Sequence, residues 1–234
     1  MEKSPRILRA HRHTPRRFFS TGGGFSLIEL LVVIAILSIL VVTTVSGFKN
    51  ISTSRGVTQA AADVVSILEL ARNEAVTRQT FTWVVFKDAT NSGNLELQMV
   101  ALGSANGSSS AAGSNLTMLS RVVKIRNCGL TDFSALSAGT RGQLSNNVTV
   151  TDLGTSGITY TNLTQDRFLD NMSVTFTPRG EAILKGQPSS SDGFVPNIGI
   201  GVIPARGTQK AQNSTDDAGI VLDGSTGIAR TLRL

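Results

Sequence analysis

FSLIELLVVIAILSILVVTTV, residues 25–45, is an apolar run that carries a single formal charge, Glu29. As an α-helix this run would be about 32 Å long at roughly 1.5 Å per residue, against a hydrocarbon core of about 30 Å. Gly24 stands immediately before it. A carboxylate at the edge of hydrocarbon is costly unless a positive group offsets it, so Glu29 marks a functional position. The run predicts a helix that crosses one bilayer.

The residues before the run form a basic leader. Its single acidic residue is Glu2, and its basic residues are Lys3, Arg6, Arg9, Arg12, Arg16 and Arg17. Basic residues that precede an apolar segment favour the cytoplasmic side of the membrane. The sequence therefore predicts a single-pass protein of the cytoplasmic (inner) membrane, with the leader inside and the bulk of the chain beyond Val45 outside the cytoplasm.

The leader also dominates the net charge. Of the 22 basic and 16 acidic residues, six basic and one acidic residue lie before Phe25, which leaves 16 basic and 15 acidic residues and a formal charge of +1. The high pI of the whole chain is therefore weak support for nucleic-acid binding.

Few residues are available for catalysis or metal binding. His11 and His13, the two histidines, both lie in the leader, and Cys128 is the lone cysteine. This composition disfavours histidine triads, imidazole metal sites, an internal disulfide and a cysteine zinc cluster after residue 24. We expect no enzyme activity, no metal and no other cofactor.

A second helical pattern follows the apolar run. Apolar residues recur at intervals of three and four, which is the stripe of an amphipathic helix, at Val57, Ala61, Val64, Leu68, Ala71 and Ala75. We expect the helix to continue through residues 46–79. Its first half would suit lipid, and its second half would anchor a globular head.

The period changes from 3.6 to 2 at residue 81. Residues 81–86 and 95–100 flank the turn residues 91–94 and predict a β-hairpin, whereas residues 101–115 predict a mobile loop rich in Gly, Ser and Ala. Further strands are expected near 118–126, 147–151, 172–177, 181–185, 194–203, 219–222 and 227–232. Residues 80–234 thus predict a mostly antiparallel β-rich head, and the fold class is α+β.

The junction residues carry a resemblance. Gly24-Phe25-Ser26-Leu27, followed by Glu29 and the apolar run, resembles the class III signal of type IV pilins and type II secretion pseudopilins. The resemblance implies that a prepilin peptidase cuts between Gly24 and Phe25, methylates the new amine and leaves the helix in place. Residues 1–24 would then be a cleaved leader, residues 25–45 a transmembrane and filament-core helix, and the fold pilin-like.

Three later segments narrow this resemblance. Residues 70–79, which run directly into the strand at Phe81, are similar to the helix-to-strand passage of the GspH/FimT group of minor pseudopilins. Residues 174–180 and 227–234 are similar to a late strand and turn and to the last strand of that group. The loops at 101–115 and 131–146 are longer than expected for it.

The resemblance implies assembly into a filament. The chain would be a minor pseudopilin subunit of a type II secretion pseudopilus or a type IV pilus, at or near the tip. Glu29 would be offset by the methylated amine of an adjacent subunit. The implied partners are prepilin peptidase, other pilin or pseudopilin subunits, the membrane and secreted cargo.

Two alternatives stay open from the residues alone. The leader and run also fit an ordinary secretory signal cut near Ser46 and Gly47, a twin-arginine signal at residues 16–19, or a plain signal anchor. The first of these would give a secreted soluble β-rich protein. Neither it nor the anchor explains why Gly, Phe, Leu and Glu occur at these spacings.

The second alternative is a DNA-binding minor pilin used in DNA uptake, because some FimT-like proteins bind DNA through basic residues near the C-terminus. The candidate phosphate contacts are Arg230 and Arg233 on the last strand and Lys124 and Arg126 on another. The near-neutral charge and the few aromatic residues favour solvated strand charges instead.

Overall fold

A computed structural model describes residues 26–111, 115–144, 148–153, 172–184, 195–212 and 214–233, with the backbone alone for 42–55. By internal contacts the chain divides into two units, Met1–Ser46 and Gly47–Leu234. The cleavage residues Gly24 and Phe25 lie outside the described residues. Helix α1 is assigned to Leu27–Arg78.

Within Gly47–Leu234, α1 buries one face. All six residues of the predicted stripe are buried, which confirms the amphipathic pattern, and Ala60 and Ile67 join them. The helix ends at Arg78, where Gln79 has a left-handed φ of 51°. The amide of Thr80 then donates to the carbonyl of Ala75 at 3.1 Å, the hydrogen bond of a Schellman motif.

The first sheet contains the predicted hairpin. Its central strands are β1 (Thr82–Asn91) and β2 (Asn94–Ser104), joined by Ser92 and Gly93. Both joining residues have positive φ, 49° and 78°, which is the geometry of a type I′ turn and explains the glycine.

The other strands of the first sheet are β3 (Leu116–Met118), β4 (Val123–Arg126), β7 (Met172–Phe176) and β8 (Ala182–Ile183). Their order is β3-β2-β1-β7-β8, with β4 also on β2.

The second sheet is built around one long strand, β9 (Asn197–Arg206). Its other strands are β5 (Cys128–Thr131), β6 (Thr151–Asp152), β10 (Gln209–Lys210), β11 (Ala218–Asp223) and β12 (Ala229–Leu232). Their order is β10-β9-β11-β12, and β5 and β6 also pair with β9. Among the described strands the pairings are antiparallel except that of β6 with β9, which is parallel.

The main core joins the buried face of α1 to both sheets. Phe86, Leu97 and Phe176 from the first sheet and Ile198 and Ile200 from the second belong to one cluster with the helix stripe. An ion pair and a hydrogen bond at Asp88 also link the two sheets. Asp88 on β1 forms a 2.6 Å ion pair with Lys210 on β10 and accepts a hydrogen bond from the amide of Leu130 on β5.

Each sheet has a second, smaller core on its outer face. On the first sheet Trp83, Val85 and Val100 pack with Ala111. The prediction of a mobile loop over residues 101–115 is therefore partly wrong, because residues 101–104 continue β2 and Ala111 is buried.

On the second sheet the outer core includes Phe133. A Cβ added at Gly219 would lie 2.8 Å from the ring carbon Cε2 of Phe133. Glycine at that outward position lets Phe133 approach the backbone.

The ring of Phe133 belongs to a short segment held by a buried carboxylate. A 3-10 turn (Phe133–Ala135) is followed by α2 (Ala138–Arg141). Asp217 is 2% exposed and accepts hydrogen bonds from Ser137 Oγ at 2.9 Å, from Thr140 Oγ1 at 2.5 Å and from the Ser137 amide. This cluster fixes the outer layer of the second sheet.

The predicted α+β class, the hairpin and the mostly antiparallel head are confirmed by these elements. Strands β5 and β10 were not predicted. The strand expected over 118–126 is wrong in part, because β3 ends at Met118 and β4 begins at Val123. Of the strand expected near 147–151, the described residues form a strand only from Thr151, where β6 pairs with β9. The pilin-like fold remains a prediction.

Candidate functional site

The described chain begins at Ser26, one residue after the predicted cleavage position. The amides of Glu29 and Leu30 donate to the carbonyl of Ser26 at 3.0 and 3.1 Å, and α1 begins at Leu27. Glu29 therefore lies in the first turn of the helix. There the positive end of the helix dipole favours a carboxylate by about 0.3–1 kcal/mol.

The residue pattern of this turn is also a helix-start signal. Ser26 followed three residues later by Glu29 fits the capping-box sequence that precedes an apolar run. The sequence prediction for Glu29 rested only on its charge at the edge of the apolar run. The capping pattern could have predicted the start of α1 to within one residue.

The large apolar side chains on either side of Glu29 are exposed, from Leu27 to Val41. Their exposed fractions run from 45% at Val33 to 83% at Leu27. Others in this group are Ile28, Leu30, Leu31, Val32, Ile34, Ile36, Leu37, Ile39, Leu40 and Val41. An apolar surface of this size on a helix indicates a contact with lipid or with other protein.

Within the described part of the chain, no helix is both long enough and apolar enough to cross a membrane.

Ser38, a small polar residue of the run, hydrogen-bonds to its own helix. Its Oγ donates to the carbonyl of Ile34 at 2.7 Å. The side chains of Thr43, Thr44 and Ser46 lie outside the described residues. A hydroxyl bonded to its own helix can enter an apolar environment at a lower desolvation cost.

Lys124 and Arg126, the first pair of candidate phosphate contacts, lie on β4 at one border of the first sheet. Both side chains are exposed. Arg126 Nε lies 3.2 Å from Glu96 Oε1, and the Glu96 side chain is only 3% exposed. Asn91 Nδ2 donates to the same carboxylate at 3.3 Å. The charge of Arg126 is therefore offset locally by a buried carboxylate.

Arg230 and Arg233, the second pair, belong to the end of the second sheet. Arg230 lies on β12, is exposed and lines a surface cleft. The amide of Arg233 donates to Gln143 Oε1 at 3.1 Å. β12 pairs with β11, whereas β4 pairs with β2, so the two arginine-containing pairs lie on different sheets.

Cys128 is buried on β5. Burial raises the pKa of its thiol from 9.0 to about 11, so it is protonated at neutral pH and is a poor nucleophile there. In the described ranges no group of three or more His, Cys, Asp or Glu side chains is placed to hold a metal ion. The described residues thus leave the N-terminal helix start as the strongest candidate site.

A comparison with known families matches a motif to the segment that contains this helix start. A family model described as the prokaryotic N-terminal methylation motif matches residues 22–45, which include Gly24, Phe25 and Glu29. No curated protein and no solved structure gave a significant match. The motif is a class III signal, and it indicates a type IV pilin-like protein that is a substrate of prepilin peptidase and assembles with other pilin subunits.

Proposed function

We propose that the chain is a minor pseudopilin of the GspH/FimT group. In this proposal prepilin peptidase removes residues 1–24 and methylates Phe25, and the subunit passes from the inner membrane into a type II secretion pseudopilus or a type IV pilus. Its place is at or near the tip, where the β-rich head contacts other minor subunits or cargo. The methylation motif at residues 22–45 is the observation that carries the proposal.

The role of Glu29 follows from the size of the competing energies. The helix dipole stabilises a first-turn carboxylate by at most about 1 kcal/mol at an exposed site. Leaving a charge unpaired in an apolar setting costs roughly 3–5 kcal/mol. A filament core lined by the exposed apolar side chains of α1 would therefore require a positive partner for Glu29. The methylated amine of Phe25 on an adjacent subunit supplies that charge and fixes the axial register.

The architecture of the second unit is compatible with a head carried on such a helix. The stripe from Val57 to Ala75 is buried against both sheets, so this part of α1 is held by its own chain. The stretch Leu27–Val41 keeps its apolar surface available for lipid and then for neighbouring subunits. No catalytic step is needed for this role.

The processing step is tested by the mature N-terminus. In cells that contain prepilin peptidase, intact mass and N-terminal sequencing of the purified protein should show a start at N-methylated Phe25. Gly24→Ala is expected to abolish or strongly slow cleavage, because the peptidase cleft accepts a residue without a side chain. Gly23→Ala is the matched control and should be processed normally. A mature chain that starts near Phe48 would replace the proposal with a soluble secreted protein.

The assembly step is tested separately at Glu29. Glu29→Gln keeps the size of the side chain and removes its charge, so cleavage should continue while incorporation into sheared filaments falls sharply. Glu69→Gln removes an exposed carboxylate from the second unit's part of α1 and should assemble like the wild type. Normal incorporation of Glu29→Gln would contradict the assigned role, even if Phe25 is methylated.

A further inference from the structure

The outer edge of the second sheet offers a second binding surface, formed by β12 and the cleft beside it. We propose that this edge binds an extended segment of another protein that carries an acidic side chain, added to the sheet as a further strand. The proposal concerns the head alone and does not depend on the filament role of the N-terminal helix.

The hydrogen-bond pattern shows which backbone groups face outward. The amide of Asp223 donates to the carbonyl of Ile228 at 3.0 Å, and Val221 stands opposite Arg230 in the ladder. Because hydrogen-bonded pairs alternate along an antiparallel ladder, Arg230 bonds to β11 while Ala229 and Thr231 direct their N–H and C=O groups away from it.

One outward group already has a partner. The Arg233 amide, which belongs to the same outward set as Thr231, donates to Gln143 Oε1. No described strand pairs with the edge at Ala229 and Thr231. An open row of this kind is the template for strand addition, in which main-chain hydrogen bonds supply affinity.

The cleft supplies room for side chains of the added segment. It has a volume of about 310 Å³ and lies on the face of β12 that carries Ile228, Arg230 and Leu232. Ile228 is 49% exposed and Val148, which also lines the cleft, is 36% exposed. An aliphatic side chain seated in the cleft would cover part of this apolar surface.

The charge of the cleft selects an acidic residue. The guanidinium of Arg230 is exposed and makes no hydrogen bond or ion pair with any described residue. The other charged residue described in the lining, Asp223, keeps its negative charge, but its Oδ1 already accepts from the Ser225 amide, Ser225 Oγ and the Thr226 amide. An incoming carboxylate would therefore find in Arg230 a cation that no described residue pairs with.

Two other occupants fit these observations less well. A second copy of β12 in antiparallel register would bring the arginines of the two copies close together, and like charges across strands are destabilising. A nucleic acid would lack the amide groups that match the open edge. The described residues that line the cleft also include no aromatic side chain on which a base could stack.

The test uses the purified full chain in mild detergent and a fluorescent peptide of about eight residues, the length of an ordinary strand. Val and Thr alternate in this probe, with Asp at the centre. A second peptide has Lys in place of Asp. A third keeps Asp but carries N-methyl groups on alternate amides, which removes its ladder donors. A single-stranded oligonucleotide is the fourth probe. Binding is read by fluorescence anisotropy, and the docking position by amide hydrogen exchange at Ala229 and Thr231.

The Asp peptide should bind and slow exchange at Ala229 and Thr231, while the N-methylated peptide should not bind. Arg230→Glu should lower the affinity for the Asp peptide by about tenfold and raise the affinity for the Lys peptide. Arg206→Glu makes the same charge change on β9 and should leave binding unchanged. The proposal is overturned if no peptide binds up to about 1 mM, if the N-methylated peptide binds equally, if Arg230→Glu has no effect, or if only the oligonucleotide binds.

Discussion

Two stretches of α1 have similar helical backbones and opposite surroundings. In Leu27–Val41 every large apolar side chain is at least 45% exposed, whereas the buried stripe from Val57 to Ala75 is at most 4% exposed. The difference follows from patterning. The first stretch is apolar on all sides and carries no polar face, while the second confines its apolar residues to one stripe that a sheet can cover. The first stretch therefore needs a partner outside its chain, and the second does not.

The largest expected effect comes from truncating matched leucines in the two stretches. Leu68 is fully buried and belongs to the main core, so Leu68→Ala should lower the free energy of unfolding by about 2–5 kcal/mol. Leu31 is 53% exposed, and Leu31→Ala should leave that free energy unchanged. Denaturant unfolding followed by the fluorescence of Trp83, the one tryptophan, measures both.

Equal destabilisation by the two variants would contradict the comparison. It would mean that Leu31 is held by the head as Leu68 is. Loss of filament incorporation by Leu31→Ala without a change in unfolding would instead sharpen the comparison, because the first stretch would then be needed only between subunits.

A smaller effect is expected at Cys128, which lies against the packed stretch; a Cβ at Gly56 would be 3.8 Å from its Sγ. Burial raises the pKa of this thiol from 9.0 to about 11. The folded chain then holds its proton where the unfolded chain has released it. This contribution to stability is complete below about pH 8.5 and is lost as pH rises toward 11, at up to about 1.4 kcal/mol per pH unit.

The matching variant is Cys128→Ser. Between pH 8 and 10.5 the wild type should lose more unfolding free energy than the variant, measured from each protein's own value at pH 7. Parallel curves for the two proteins would show that the thiol is accessible and that this side of α1 is less tightly packed than described.

Two arginines near the end of α1 test how the packed stretch is held. Arg72 Nε donates to the carbonyl of Thr226 at 2.6 Å, in the turn between β11 and β12. Arg72→Met should cost about 1 kcal/mol, because it leaves that carbonyl without its charged donor. Arg78 pairs with Glu74 on the same helix and its side chain is 60% exposed, so Arg78→Met should cost a few tenths of a kcal/mol. Thermal unfolding of both variants gives the ranking, and a larger loss at Arg78 would contradict it.

Periodicity predicted much of this fold from sequence. The stripe on α1 and the hairpin around Ser92-Gly93 were predicted because each depends on residues close together in the chain. The burial of Ala111 and strand β5 were not predicted, since their partners are distant. Cys128–Thr131 becomes a strand because β9 lies beside it, about 70 residues later in the chain.

The functional and structural residues follow the same rule: those defined by local spacing were predicted, and those that depend on distant partners were not. Gly24, Phe25 and Glu29 were predicted from local spacing, and the matched motif spans residues 22–45, which include them. Their individual roles stay predictions. The edge at Ala229 and Thr231 depends on which strands pair with β12, and no local pattern encodes that. The buried carboxylate of Asp217 was also missed, because its donors lie on a segment about 80 residues earlier.

The smallest expected effect is at Asp223, in the turn between β11 and β12 whose Thr226 carbonyl accepts the hydrogen bond from Arg72. Asp223 Oδ1 accepts from Ser225 Oγ and from the Thr226 amide, and these bonds lower the pKa of the carboxyl below its usual 3.8. The folded state thus favours the carboxylate, and the resulting stability is present above about pH 4 and lost as pH falls through the folded pKa. Asp223→Asn should destabilise by no more than a few tenths of a kcal/mol at pH 6, because solvent screens an exposed group. The gap from the wild type should close toward pH 2, and a gap that widens on acidification would show that the carboxylate does not organise this turn.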